Sequence, residues 1–433
     1  MLSLIIDLTR QLCLKTLKQF IFYGKICPLE QLCWRSISEN FTGGNMVKFA
    51  HIADVHLGGW KQQPMQDLNF ESFKEAVNIC INSKLDFVLF AGDLFDSAYP
   101  PIEILKETFA QFKRLKDAGI PCFTIAGSHD YSVSGKTFLD VLEKAGFCKN
   151  VYNAEEKENS IILNPVVYGN VAIYGYPGKK SGLEVQDLKR VKFNDSPGLF
   201  KIFMLHTTID RVVGNLPIES INPDRLPNAD YYALGHIHIF YSDRGFVYPG
   251  PLFPNNFKEL EDLKQGTFVI VDTESSSRIQ KIKLPTKQIE HFIIEIEDAL
   301  TGTEKIIYEL NNRNLKDKIV LLRIYGELKR GKTSDIKFPE IENFIKSKEA
   351  YFLLKNTHDL ISEEQELEFN IPEKDSENIE EETIKAYSEK NPSSFNKSIN
   401  ELMNTLSIEK QEGETTETFN NRILQGTKKF FKF

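Results

Sequence analysis

FAHIADVHLGG, residues 49–59, runs an apolar segment into an aspartate and a histidine two residues apart, Asp54 and His56. DFVLFAGDLFD, residues 86–96, repeats the device with Asp93. Outward along the chain it returns in CFTIAGSHD, with His129 and Asp130, in FKIFMLHT, with His206, and in DYYALGHIH, with His236 and His238; VAIYGYP is a sixth apolar run without such an ending. Between the runs, FESFKEAVNICINS and IEILKETFAQFKRLKDAG carry apolar residues at helical spacing, the second closed by a glycine. Short apolar runs alternating with helices predict an α/β, layered αββα domain from Met46 to about residue 285.

In layered α/β folds, ligands gather at the carboxyl ends of the central strands, so these endings are expected to converge. Each is uninformative alone, since a buried histidine is commonly satisfied by a backbone carbonyl. Their order and spacing, with room for a strand and a helix between them, point to one site. Alternate residues of an extended strand face the same way, so Asp54 with His56 and His236 with His238 would each present two groups to one side. Mixed imidazole and carboxylate donors suit Mn²⁺, Fe²⁺ or Zn²⁺ better than Mg²⁺ or Ca²⁺. The two oxygens of Asp93 could bridge two cations about 3.5 to 4 Å apart, the spacing that serves in-line attack on phosphorus.

The composition agrees with a large folded protein: 433 residues, 41% hydrophobic and 26% charged. No apolar stretch approaches the roughly 18 to 20 residues that cross a bilayer, so a soluble protein with no membrane partner is expected. The six cysteines, Cys13, Cys27, Cys33, Cys80, Cys122 and Cys148, form no CxxC pair and suit a reducing, cytoplasmic setting. The net charge of −8 is concentrated: residues 363–382 hold ten acids and one lysine, and −8 less that −9 leaves +1 for the remainder. Nucleic acid is therefore not excluded as a partner.

Residues 1–45 differ in character from the rest of the chain. Leu2, Ile5, Ile6 and Leu8 with Leu12, Leu14 and Leu17 have amphipathic spacing, suited to a membrane surface or a partner. Gly43-Gly44-Asn45-Met46 is also what GGAGGTAATATG encodes, a ribosome-binding sequence before a start codon, and the preferred interpretation is a mis-assigned start. Residues 286–358 carry strand and helix signals for a small α/β cap domain, 359–391 form an acidic linker, and 392–433 regain helical periodicity as a C-terminal helical appendage.

The motifs FAHIADVHLGG, DFVLFAGDLFD, AGSHD, MLH, ALGHIH and YPG resemble those of the calcineurin-like metallophosphoesterases, most closely the SbcD-type nuclease subunits of double-strand-break repair. The resemblance implies one metal held by Asp54, His56, Asp93 and His238, and another by Asp93, Ser128, His206 and His236. His129 would face the scissile phosphate as general acid or charge stabiliser, oriented by Asp130. Two divalent ions, usually Mn²⁺, are implied, with a homodimer formed through helices of this domain. Also implied is an SbcC-type coiled-coil ABC ATPase docked on residues 392–433, where Phe395, Ile399, Leu402, Leu406 and KKFFKF offer an apolar face. The family usually has asparagine where Ser128 stands, and a hydroxyl reaches less far, so weaker occupancy of the second position is expected.

GELKRGKTSDIKF, residues 326–338, gathers Lys329, Arg330, Lys332 and Lys337 around two glycines, a loop suited to a phosphate backbone or simply to solvent. The expected activity is DNA exonuclease or endonuclease cleavage. A weakly active or inactive DNA-tethering or scaffold subunit of the same complex and a small-molecule phosphodiesterase are the alternatives, the latter having no clear use for the cap and tail.

Overall fold

A computed structural model describes residues 47–131, 137–214, 218–275, 278–362, 396, 398–408, 416–428 and 430. The extension 1–45, the acidic linker from residue 363 and Phe395 lie outside the described residues. No described helix is long and apolar enough to cross a membrane.

The described strands are β1 (Lys48–Ile52), β2 (Phe87–Ala91), β3 (Cys122–Ile125), β4 (Lys149–Asn150), β5 (Ala154–Lys157), β6 (Ser160–Leu163), β7 (Val166–Tyr168), β8 (Val171–Tyr176) and β9 (Val191–Phe193). They continue with β10 (Phe200–His206), β11 (Tyr231–Gly235), β12 (Phe240–Asp243), β13 (Phe246–Pro249), β14 (Thr267–Asp272), β15 (Ile279–Lys283), β16 (Ile289–Glu295), β17 (Ile319–Leu328) and β18 (Phe352–Ser362). The helices are α1 (Gln63–Asn82), α2 (Ile102–Asp117), α3 (Phe138–Lys144), α4 (Glu184–Leu188), α5 (Asp210–Val213), α6 (Phe257–Leu263), α7 (Ala299–Asn311), α8 (Phe338–Ser347), α9 (Ile399–Leu406) and α10 (Thr416–Thr427). All six apolar runs of the sequence are strands: β1, β2, β3, β8, β10 and β11.

Two six-stranded sheets, ordered β15-β14-β1-β2-β3-β4 and β12-β13-β11-β10-β8-β7, form the centre. The strands β1, β2, β3 and β4 are parallel, with antiparallel β14 beside β1, and β8, β10, β11 and β13 are parallel, with antiparallel β7 and β12 at the two edges. Alternation along each strand decides which layer a side chain joins. Phe49 and Ala53 of the first run meet Ile202, Met204 and Ala233 between the sheets, while Ala50 and Ile52 meet Phe73, Val77 and Phe112 of α1 and α2. Across the second sheet, Phe203 and Leu205 pack with Val185 and Leu188 of α4. Both faces of the central strands are thus buried, which is why their sequences are continuously apolar. The layered αββα fold follows.

The chain divides into two compact units. One runs to Ile294 and includes Thr303–Ile324 and Lys337–Thr357; the other comprises Glu295–Gly302, Tyr325–Ile336 and the described residues from His358. The strands β16, β17 and β18 form a three-stranded sheet in that order, with β17 central. In the first unit, Ile319, Leu321 and Leu354 of this sheet pack with Trp60, Met65, Phe253 and Leu260. Burying such a cluster contributes on the order of 1.5–3 kcal/mol per large side chain. In the second unit the backbone closes through Tyr325, Arg330 and Glu297: Ile296 donates to Tyr325 O, Ala299 to Arg330 O and Lys329 to Glu297 O. There too α9 lies against α10 at Thr405 and Gly426, and Met403, Leu406 and Leu424 remain exposed.

Candidate metal centre

The site forms where β1, β2, β3, β10 and β11 end, and its backbone departs from the extended geometry expected of Asp54/His56 and His236/His238. Asp54, His56, Asp93 and His236 all have left-handed backbone, with φ of 52°, 47°, 51° and 97°. Such conformations cost about 1–3 kcal/mol each for non-glycine residues and persist only when their surroundings over-determine them. Here the loops are fastened together. Asp54 N donates to Gly92 O at 3.2 Å, and Val55 N and His56 N donate to Asp93 O at 2.9 and 3.0 Å. His236 N donates to Asp54 Oδ1 at 2.9 Å and His129 N to Asp93 Oδ1 at 2.8 Å.

Three glycines let these groups close in. A Cβ on Gly92 would lie 2.6 Å from His206 Cγ, one on Gly127 would lie 2.6 Å from Asp93 Cγ, and one on Gly235 would lie 2.8 Å from His206 Nδ1. These distances are inside ordinary contact, so no larger residue fits without displacing a functional side chain.

The side chains form overlapping trios: Asp54, His56 and His238; His56, Asp93 and His129; Asp93, His206 and His236. In each, one ligating atom per residue lies within 4.8 Å of the others. Whether the trios suit a cation can be decided from their protons. His56 Nδ1 lies 3.1 Å from Asp96 Oδ1 and His238 Nδ1 lies 3.0 Å from Glu259 Oε1. A carboxylate only accepts, so both Nδ1 atoms carry a proton, and each Nε2 is left as the atom free to offer a lone pair to a cation. Those two Nε2 atoms face each other at 3.1 Å. His206 repeats the pattern: Nδ1 faces Ala91 O at 2.9 Å, and Nε2 points at Asp93 Oδ2, 3.1 Å away, without hydrogen-bond alignment. Asp54 Oδ2 is also buried without a partner. Unprotonated, these groups repel one another in a buried site until a proton or a metal ion sits among them, so the residues fit divalent ions.

Without a metal ion, the cation that His206 takes up is a proton. Burial would lower the His206 pKa, but Asp93 beside it pushes it up to about 10. Burial and the neighbouring His206 charge push His236 down to about 4. Burial alone would raise Asp93, yet His206 and His56 hold it well below the usual carboxylate range.

The remaining expected site residues fall as follows. His129 is half exposed at the rim, with Nδ1 2.9 Å from Asp96 O. Asp130 does not orient that ring. Its buried carboxylate accepts from Gly127, Leu94 and Phe95 amides at 3.0, 3.2 and 3.0 Å, tying the loops after β2 and β3 together. Burial and the Asp93 charge push it up to about 6. Ser128 Oγ lies 3.5 Å from Asp93 Oδ2. Asp96 and Glu259 were not singled out in the sequence, although each fixes the tautomer of a facing histidine. Asp96 is the last residue of DFVLFAGDLFD and was available to inspection; Glu259, within FKELEDL, looks like part of a solvated helix face.

The basic loop presents its cations paired on an exposed surface. Lys329 meets Glu297 at 2.8 Å and Arg330 meets Asp298 at 3.3 Å, while Lys337 meets Glu340 at 3.5 Å. The backbone of Lys332 donates to Asp335. Exposed pairs of this kind are worth about 0–1 kcal/mol, so a phosphate can displace them.

Residues 47–240 match the model of the calcineurin-like phosphoesterase family. The chain is 28% identical over 302 residues to the DNA double-strand break repair protein Mre11 of Aeropyrum pernix, covering 65% of this chain and 70% of that one. It is 28% identical over 308 residues to the Mre11 of Archaeoglobus fulgidus, covering 64% and 68%. An uncharacterized metallophosphoesterase of Bacillus subtilis, YhaO, is 29% identical over 236 residues, 50% of this chain and 55% of that one.

Proposed function

We propose that this chain, whose residues 47–240 match the calcineurin-like phosphoesterase model, is a two-metal DNA nuclease of double-strand-break repair. The observation that carries the metal-dependent part is the pair of Nε2 atoms of His56 and His238 opposed at 3.1 Å, each ring's Nδ1 being taken by a carboxylate on its far side. The likeness to Mre11 proteins supports the substrate and the repair role.

In this reading Asp54, His56 and His238 hold one ion, and His206, His236 and Ser128 the other, with Asp93 shared. Mn²⁺ suits the donor set. Such a pair activates a water and stabilises charge on an attacked phosphate. The protein's own groups set the rest. His129, its Nδ1 directed to Asp96 O, keeps Nε2 for the substrate; protonated, it delivers a proton to the leaving oxygen. Asp96 Oδ1 lies 3.7 Å from His129 Nδ1. Asp130 holds the backbone that places His129.

The domain limits 46–285, 286–358, 359–391 and 392–433 belong to the proposal. So do the DNA-contacting role of Lys329, Arg330, Lys332 and Lys337, a homodimer, and an SbcC-type ABC ATPase on residues 392–433. The exposed Met403, Leu406 and Leu424 on two short helices support that docking face. Cys80, Cys122 and Cys148, free in the structure, support a cytoplasmic setting. Mn²⁺-stimulated degradation of linear DNA by the full chain tests the activity; protein that binds two ions yet cleaves neither single- nor double-stranded DNA would overturn it.

A further inference from the structure

We propose that Arg323 and Glu261 are positioning residues for one of the two ions, the one at Asp54, His56 and His238, and leave the other position untouched. The inference rests on the two-ion reading of the proposed function.

Helix α6 stands between that trio and the β16–β17 strands. At its start, Glu259 takes His238 Nδ1 on Oε1, and accepts Asn255 N on Oε2 at 2.8 Å and Asn256 Nδ2 on Oε1 at 2.6 Å. Asn256 caps the helix by accepting Glu259 N at 2.9 Å. Asn255 Nδ2 reaches Asp96 Oδ1 at 3.4 Å, the oxygen that faces His56 Nδ1. Residues 255–259 therefore support both imidazoles of one trio.

Two residues along a helix is a rotation of about 200°, so Glu261 projects from the side opposite Glu259. Its carboxylate is held in bidentate fashion by Arg323 of β17, Nε to Oε1 at 3.0 Å and Nη2 to Oε2 at 2.6 Å. His291 Nε2 of β16 lies 2.7 Å from the same Oε1. The guanidinium also covers the Phe257 ring at 5.3 Å, and Leu260 of the same helix is fully buried in a cluster with Ile319, Leu321 and Leu354. Planar bidentate pairs fix orientation as well as distance. A seven-residue helix has little rigidity of its own, so its angle, and hence the aim of Glu259, is set by Arg323. The trio Asp93, His206 and His236 is supported from elsewhere, by Ala91 O and the glycines at 92, 127 and 235.

The test is calorimetric titration of the full chain with Mn²⁺, with the visible spectrum of the Co²⁺-loaded protein, in wild type, His238→Ala, Arg323→Met, Arg323→Lys and Glu261→Gln. Wild type is expected to bind in two steps, and His238→Ala identifies the step belonging to its trio. Loss of partners behind a metal-binding histidine weakens binding about 10–100-fold, and this pair, one contact further out, is expected to weaken that same step by up to about tenfold in Arg323→Met and Glu261→Gln. Arg323→Lys should recover part of the loss, and the Co²⁺ band of that position should shift. Circular dichroism identifies any variant that does not fold, and the more conservative Glu261→Gln then decides. Both steps unchanged, or both weakened equally, in the folded variants would overturn the proposal. A wild-type chain that binds fewer than two ions would instead overturn the two-ion reading beneath it.

Discussion

Gly92→Ala is the most informative single perturbation of the centre. Gly92 has φ of +89°, and a Cβ there would stand 2.6 Å from His206 Cγ and 2.9 Å from Gly127 Cα. Ordinary contact begins near 3.4 Å, so the imidazole must retreat by about 1 Å. Left-handed backbone at a non-glycine residue costs roughly 1–2 kcal/mol. Displacing His206 from Ala91 O leaves a buried donor unpaired, a further ~1–3 kcal/mol. The expected loss of stability is therefore about 2–5 kcal/mol, and a misplacement of about 1 Å at a reacting centre costs on the order of 100-fold in rate. Gly119→Ala is the control: φ is +75° with nothing within 4 Å of the added carbon, so it carries the backbone cost alone. Thermal melting, Mn²⁺ titration and a DNA-degradation assay on both variants read the three consequences. If Gly92→Ala binds metal and cleaves as Gly119→Ala does, the glycine cradle is not what places His206.

Three other outcomes are expected. Ser128→Asn, extending a neutral oxygen toward Asp93, should tighten metal binding or raise activity at low Mn²⁺; no change in either would mean that the hydroxyl already suffices. Mn²⁺ at about 100 times its dissociation constant should stabilise the fold by ~2.7 kcal/mol per site, read as a rise in melting temperature that EDTA reverses, and an unchanged melt would refute a cation bound by the native state. Met403→Asp with Leu406→Asp should abolish copurification of an ABC ATPase while leaving Mn²⁺-dependent cleavage intact, and retained copurification would remove the docking role from this face.

The strands were legible because both faces of β1, β2, β10 and β11 are buried, leaving continuous apolar runs with polar punctuation. Helix α1 was legible only from Phe70. It begins at Gln63, where Gln62 makes no side-chain cap and Pro64 takes the first turn, so the usual Ser, Thr, Asp or Asn signal is absent. Short strands such as β4, β5 and β9 have too few apolar residues to show a period. At the site, the metal-binding types could be read from strand ends, but the left-handed backbone of Asp54, His56, Asp93 and His236 could not: it is imposed by hydrogen bonds between loops distant in sequence. Asp130 was assigned to the wrong neighbour for the same reason, since its three amide donors come from two different loops. Glu259 carries no local signal because its role is defined by His238, 21 residues away.

The most direct test pairs metal content with cleavage in wild type and His129→Ala. The account predicts that wild type binds two divalent ions and degrades DNA ends with Mn²⁺, while His129→Ala keeps both ions and loses about 10²–10⁴-fold in rate, the range for a general acid. Cleavage by His129→Ala at the wild-type rate, or a fully loaded wild type without activity on any DNA, would contradict it.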